Sequence, residues 1–130
     1  MDGLEAFVGV PFADHGRAGG FDCWGCARAA LLACRGIALP DYGAGYADMA
    51  DHYGIAASIR GGLAEGWARV LDPRAFDLVI FNICGQPRHV GLMVGPSKFL
   101  HAPEGQTSRI ERVDDRMWHK RIEGFYRYVG

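Results

Sequence analysis

The stretch that most constrains this chain runs from Cys23 to Arg35, where nearly every residue is small or apolar. A helix that is apolar on almost all sides belongs in a core rather than on a surface. Asp22 suits the N-cap position because its carboxylate can accept hydrogen bonds from the free backbone N–H groups of the first turn. Gly36 is typical of the end of a helix. The sequence therefore predicts a buried helix over residues 23–35.

Cys23 is the first residue of this predicted helix. The N-terminus of a helix carries a partial positive charge, which stabilises a thiolate and lowers the pKa of a cysteine placed there. We therefore predict that Cys23 is a nucleophile with a lowered pKa. Asp22 is expected to act chiefly as the helix cap.

Length and composition indicate one domain. The chain has 130 residues, of which 49% are hydrophobic, and we expect a single domain over residues 1–130. Its net charge of −1 gives no basic surface for nucleic acid. No apolar run approaches the roughly 18 residues needed to cross a bilayer. Residues Met1–Glu5 do not resemble a secretion signal, so we expect synthesis in the cytoplasm and four free cysteines.

Hydrophobic periodicity divides the chain into a helical part followed by strands. Apolar residues recur at three- and four-residue steps from Tyr46 to Ala57, which predicts an amphipathic helix, and a shorter helix is predicted near residues 62–68. This order indicates an α+β fold in which the helix carrying Cys23 packs on an antiparallel sheet. β-branched and aromatic runs separated by tight turns predict consecutive strands at 77–84, 89–94, 99–101, 109–113 and 122–129.

The histidines supply the candidates for a catalytic base. A thiol nucleophile needs a base to take its proton, and the base needs a third group to orient it. His89 opens a predicted strand and His101 closes the returning one, which makes them cross-strand neighbours. One can then act on Cys23 while the other accepts from its far ring nitrogen. Gly91 shares a strand face with His89, and we expect it to leave room for a substrate backbone.

Three short motifs in this order resemble the NlpC/P60 cysteine peptidases: Phe-Asp-Cys-Trp-Gly at 21–25, His-Val-Gly-Leu-Met-Val-Gly at 89–95 and Phe-Leu-His-Ala at 99–102. The resemblance covers nearly the whole chain. It implies a compact papain-like fold that cleaves the peptide stems of bacterial peptidoglycan, often between D-glutamate and diaminopimelate. By position, it makes Cys23 the nucleophile, His89 the base and His101 the third polar residue. No cofactor and no metal is implied.

Two features resemble the branch of this family that is carried by phage tails and phage-derived particles. Trp24 stands where many secreted members have serine, and the N-terminus lacks a signal peptide. The resemblance therefore implies phage tail proteins as partners, beside the stem-peptide substrate. Such an enzyme reaches the cell wall in a particle or by lysis.

The oxyanion hole departs from the family pattern. Members commonly place a tyrosine about eleven residues before the nucleophile, and this chain has Phe12, which lacks a hydroxyl. The backbone N–H of Cys23 remains as a donor, and either Asp14 or His15 is a candidate for the second. Losing one such donor typically costs about 10²–10³ in rate. We expect Trp24 to line the mouth of the cleft.

Three other readings of the same residues stay open. An amidase or acyltransferase would use the same Cys-His-His set on a different acyl donor, and a non-enzymatic tail-tip subunit would keep the fold as a plug or wall-binding module. A zinc site is chemically allowed, because thiolate and imidazole suit zinc; its ligands would be Cys23, Cys84, His89 and His101. Cys26, Cys34 and Cys84 are most simply core residues.

Overall fold

The computed structural model describes residues 3–12, 22–40 and 52–130. Within these ranges the chain forms helices α1 and α2 and a sheet of six strands. Short 3₁₀ turns lie at Leu4–Phe7 and His119–Arg121. The longer elements are α1 Cys23–Arg35, α2 His52–Leu63, β1 Trp67–Val70, β2 Leu78–Ile83, β3 Gln86–Met93, β4 Lys98–His101, β5 Arg109–Arg112 and β6 Ile122–Tyr128.

Helix α1 has the bounds and the caps that the sequence predicts. The side chain of Asp22 accepts a hydrogen bond from the backbone N–H of Gly25 through Oδ1 at 2.7 Å. At the other end, Gly36 adopts a left-handed conformation with φ of 67°, and its N–H donates to the carbonyl of Leu32 at 3.0 Å. Both ends of the helix are therefore fixed by local chemistry, which places Cys23 at its first position.

The sheet is antiparallel, in the order β1-β6-β2-β3-β4-β5. Strands β2 to β5 follow one another as predicted. Strand β6 instead returns across the sheet and lies between β1 and β2, a position that short-range sequence patterns do not specify. The prediction of an α+β fold with helices packed on an antiparallel sheet is confirmed.

The sheet separates two apolar clusters. The larger cluster lies between the sheet and α1, where Leu78, Ile80, Val90 and Leu92 meet the buried face of the helix. The smaller cluster consists of Val79, Phe81, Met93, Phe99 and Trp118. Residues that alternate along β2 and β3 divide between the two clusters, so the strand period of two sets which side chains reach α1.

The prediction of a short helix near residues 62–68 is wrong. Helix α2 ends at Leu63, and residues from Trp67 onward form β1, which pairs with β6. Gly66 makes the turn between them with φ of 82°, and Trp67 then packs edge-on against Tyr128 at 5.3 Å. Pairing with a distant strand therefore outweighs the local helical pattern.

The helix predicted at 46–57 falls partly outside the described residues. Residues 52–57 lie in α2, as predicted, and residues 46–51 are not described. The helix continues beyond the prediction because Ile59 and Leu63 extend its apolar face toward the larger cluster. No helix in the described ranges is long and apolar enough to cross a membrane.

Candidate active site

Cys23 lies at the N-terminus of α1, pressed against the middle of the sheet. Its side chain is only 5% exposed. The thiol sulfur receives hydrogen bonds from the backbone of Val90 on β3 and from the backbone of Cys23 and Trp24. Val90 follows His89 directly in β3; its side chain packs toward α1, whereas the His89 ring lies against Phe81 and Trp118 of the smaller cluster.

The pKa of Cys23 is shifted upward, whereas the sequence predicted a downward shift. Burial, followed by the negative charge of Asp22, raises the pKa of the thiol to about 12, and the backbone hydrogen bonds lower it by less. The carboxylate that caps the helix therefore destabilises the thiolate form of Cys23, the next residue. In the resting site Cys23 is a neutral thiol.

Replacing Asp22 with asparagine should lower the pKa of Cys23. The asparagine Oδ1 can still accept the Gly25 N–H bond at the cap, while the repulsive charge is gone. The measurement is the pH dependence of Cys23 alkylation, followed by mass spectrometry of the peptide that contains it. An unchanged profile would contradict this electrostatic account. Asp22→Ala, which also removes the cap, should in addition lose about 1 kcal/mol of stability.

The structure brings His89 and His101 into direct contact. Nε2 of His89 lies 2.7 Å from Nδ1 of His101, and the two rings meet edge to face with centroids 5.0 Å apart. Strands β3 and β4 pair only through Leu92–Leu100 and Met93–Phe99. The side chains of the two histidines, rather than ladder bonds, therefore join the strands at this end.

Glu111 also belongs to this site, and the sequence reasoning missed it. Its Oε2 lies 2.5 Å from Nε2 of His101. Glu111 pairs with Phe99 in the β4–β5 ladder, and Phe99 shares a strand face with His101. The register of these two strands would have indicated the contact, since residues two apart on neighbouring strands lie within reach of long side chains.

Trp118 encloses the histidine pair. Its ring stacks on His89 at 5.6 Å and meets His101 edge-on at 5.0 Å, while Phe81 lies against His89 and Phe99 against His101. This burial holds the pKa of His89 well below its usual range, and the neighbouring His101 lowers it further. Burial followed by the charge of Arg109 lowers the pKa of His101 to about 3. Both imidazoles are therefore neutral at physiological pH.

The depressed pKa of His101 makes the fold sensitive to acid. Below the ordinary histidine value of 6.5 the unfolded chain binds a proton that the folded chain does not bind until about pH 3, so stability falls as pH falls. The loss from this one residue should be about 1.4 kcal/mol at pH 5.5. Urea denaturation at pH 7.5 and 5.5 measures it.

Two variants separate this contribution from general acid sensitivity. His101→Asn should lose less stability between the two pH values than wild type, because its side chain does not titrate. His119→Asn makes the same substitution at an exposed histidine and is the matched control. Equal losses in wild type and His101→Asn would overturn the assignment.

Several predicted pocket residues have other positions or lie outside the described ranges. The indole Nε1–H of Trp24 donates to the carbonyl of Pro40 at 3.0 Å, and its ring lines a pocket with Cys23. Phe12 packs against Ile55 of α2 and offers no polar group. Asp14 and His15 fall outside the described residues, so the second oxyanion donor stays a prediction.

A small apolar pocket lies beside the nucleophile. Its volume is about 40 Å³, and none of its described lining residues is charged. A larger cavity of about 380 Å³ shares Ile59, Leu63 and Ile80 with it and extends past Arg60 and Glu123. The small pocket is lined by Cys23, Trp24, Ile55, Ser58, Ile59, Gly62, Leu63, Trp67, Leu78, Ile80 and Val90.

Two expectations about the remaining cysteines and Gly91 are wrong. Cys84 is exposed at the β2–β3 turn with φ of 53°, so it neither packs in the core nor joins Cys23 in a zinc site. In the described part of the chain, no three His, Cys, Asp or Glu side chains are arranged to hold a metal. The space beside Gly91 is occupied by the protein itself and not open to substrate, because a Cβ there would lie 2.7 Å from the Phe99 ring.

A buried cysteine begins helix α1, and a buried histidine pair lies on strands β3 and β4 of the antiparallel sheet. A model of the NlpC/P60 family matches residues 9–127. The chain belongs to the NlpC/P60 family.

Solved structures of similar fold agree with this assignment. An NlpC/P60 family protein from Bacillus cereus is 22% identical with a TM-score of 0.72, over 98% of this chain and 38% of that one. A Staphylococcus aureus protein described as similar to lipoprotein, NLP/P60 family, is 20% identical with a TM-score of 0.70, over 100% of this chain and 40% of that one. This chain therefore spans about two fifths of the length of those proteins.

One similar structure is a domain solved by itself. The NlpC/p60 domain of the peptidoglycan hydrolase SagA is 22% identical, with a TM-score of 0.63, over 94% of this chain and 90% of that one. The chain thus has the domain fold that this peptidoglycan hydrolase carries. A search of curated proteins gave no match to the chain.

Proposed function

We propose that this domain is a cysteine peptidase that hydrolyses the peptide stems of bacterial peptidoglycan. The observation that carries the proposal is the position of Cys23, at the start of α1 and against the backbone next to His89, which is itself bonded to His101. Membership of the NlpC/P60 family and the fold shared with the SagA domain support a hydrolase of this kind.

The first half of the reaction forms an acyl-enzyme. Because the resting thiol and imidazole are both neutral, Nδ1 of His89 takes the proton of the Cys23 thiol as the sulfur attacks the scissile carbonyl. The backbone N–H of Cys23 donates to the developing oxyanion. His89 then gives its proton to the departing amine as the C–N bond breaks, which leaves a thioester on Cys23.

The second half restores the enzyme. A water molecule enters beside His89, which removes one of its protons as the oxygen attacks the thioester carbonyl. The C–S bond breaks, and the thiolate recovers its proton from His89. His101 supports both halves by accepting from Nε2–H of His89, which keeps the ring oriented throughout.

The proposal also covers the bond that is cut and the biological setting of the enzyme. The family resemblance favours a γ-D-glutamyl–diaminopimelate type of bond. Trp24 favours association with a phage tail, although none of the similar proteins named above is described as a phage protein. Action on the cell wall follows from the proposed substrate.

Digestion of purified peptidoglycan and of isolated stem peptides, analysed by mass spectrometry, tests the proposal. Wild type should release fragments whose masses identify the bond that is cut, and Cys23→Ala should release none. If both proteins leave the substrates intact, the peptidase proposal fails. Titration of Cys23 with an alkylating reagent would then decide whether the thiol is reactive at all, which a non-enzymatic tail-tip subunit does not require.

The apolar pocket favours a second candidate, an amidase or acyltransferase that takes an uncharged acyl group. The described residues that line the pocket offer the α-carboxylate of a γ-D-glutamyl group no charged partner beside Cys23. A small apolar side chain on the acyl side fits this lining better. A panel of peptides and acyl amides that differ only in that group separates the candidates, because the peptidase proposal requires cleavage of the D-glutamyl substrate.

A further inference from the structure

A continuous line of three side chains leads from the base to a carboxylate at the rim of the sheet. His89 Nε2 contacts His101 Nδ1 at 2.7 Å, and His101 Nε2 contacts Glu111 Oε2 at 2.5 Å. His101 is fully buried, whereas the side chain of Glu111 is 26% exposed. Both ring nitrogens of His101 therefore have partners, and the far partner is an acid.

The partners determine where each proton lies. An ionised carboxylate can only accept hydrogen bonds, so Nε2 of His101 carries a proton and donates it to Glu111. Burial and the nearby Arg109 lower the pKa of His101 to about 3, so at neutral pH its ring carries no second proton. Nδ1 of His101 can then only accept, and Nε2–H of His89 must be the donor. That leaves Nδ1 of His89 with a free lone pair.

We propose that Glu111 is a positioning residue which, through His101, keeps Nδ1 of His89 unprotonated and able to take the thiol proton; the catalytic consequence rests on the proposed function of Cys23 and His89. Without the carboxylate, neutral His101 can reverse its tautomer and donate through Nδ1 to Nε2 of His89. His89 would then carry its proton on Nδ1, where it cannot act as a base toward Cys23.

Nuclear magnetic resonance of the full chain labelled with ¹⁵N-histidine tests the proton positions directly. In wild type, long-range ¹H–¹⁵N spectra should show both His89 and His101 protonated at Nε2. Glu111→Leu removes the acceptor at similar size, and should move His89 wholly or partly to the Nδ1–H form. Glu111→Gln keeps an acceptor oxygen and should preserve the wild-type tautomers. Glu104→Leu removes an exposed acid from the loop before β5 and is the matched control.

Kinetics provide the second measurement. Loss of an outer-shell partner of a metal-ligating histidine typically costs about 10- to 100-fold in activity, and we expect Glu111→Leu to lower kcat/KM by a similar factor. Glu111→Gln should recover most of the loss, and Glu104→Leu should match wild type.

The two measurements separate this inference from the proposed function. The tautomers are observed without substrate, so inactivity toward peptidoglycan would defeat the peptidase proposal while the spectra still test the role of Glu111. A wild-type His89 protonated at Nδ1, or the same His89 tautomer in wild type and Glu111→Leu, would overturn the inference.

Discussion

Cys23→Ala and His89→Ala each abolish turnover of stem peptides, with an expected loss of at least about 10³-fold in kcat. Alanine at position 23 leaves no atom to form the thioester. Alanine at position 89 leaves nothing to take the thiol proton, and burial makes that proton hard to lose because it raises the pKa of Cys23 to about 12. The measurement is the initial rate of fragment release from an isolated stem peptide.

Cys26→Ala is the matched control for the nucleophile. Cys26 lies in the first turn of α1, is fully buried, and has a pKa that burial also raises to about 12. The same substitution there should leave turnover intact, so a loss confined to position 23 identifies the nucleophile rather than the helix. Retained activity in Cys23→Ala would refute the scheme. His101→Ala should be milder than His89→Ala, because water can partly replace an orienting group.

Gly91→Ala is the second large expected effect, a loss of about 1–3 kcal/mol in the free energy of unfolding. The added methyl group would lie 2.7 Å from Cδ2 of Phe99 and 3.0 Å from Cγ1 of Val79, both fully buried. Neither side chain can move without disturbing the cluster that also packs on Trp118. Urea denaturation at pH 7.5 measures the loss.

Gly124→Ala provides the comparison, because it is another close glycine in the same sheet. A Cβ there would also come within 2.8 Å of a neighbour, but that neighbour is the guanidinium end of Arg69, which is exposed and can swing aside. We expect a much smaller loss than at position 91. Equal stability of wild type and Gly91→Ala would mean that the Phe99 ring is not held where the structure has it.

The chain of contacts around His101 links the two predictions. Phe99 lies 4.5 Å from the His101 ring and stands opposite Glu111 in the ladder. A shift of Phe99 in Gly91→Ala would therefore disturb both neighbours that orient His101. Folded Gly91→Ala protein should consequently show reduced turnover as well as reduced stability.

Features that depend on neighbouring residues can be predicted from the sequence alone. The bounds of α1 follow from Asp22 and Gly36, because caps act within one turn. The placement of His89 and His101 on neighbouring strands follows from the strand pattern and the turn between them, although β3 begins at Gln86 rather than at His89. Short motifs in the same order also led to the family, which the match over residues 9–127 confirms.

Features that depend on distant residues or on burial become visible in the folded structure. The pairing of β1 with β6 and the contact of Glu111 with His101 join strands through long-range register. The pKa of Cys23 is raised rather than lowered as predicted, because the loss of water around a buried thiol outweighs the partial charge of a helix end. Local patterns carry no measure of burial, and burial is what makes the resting thiol and imidazole neutral.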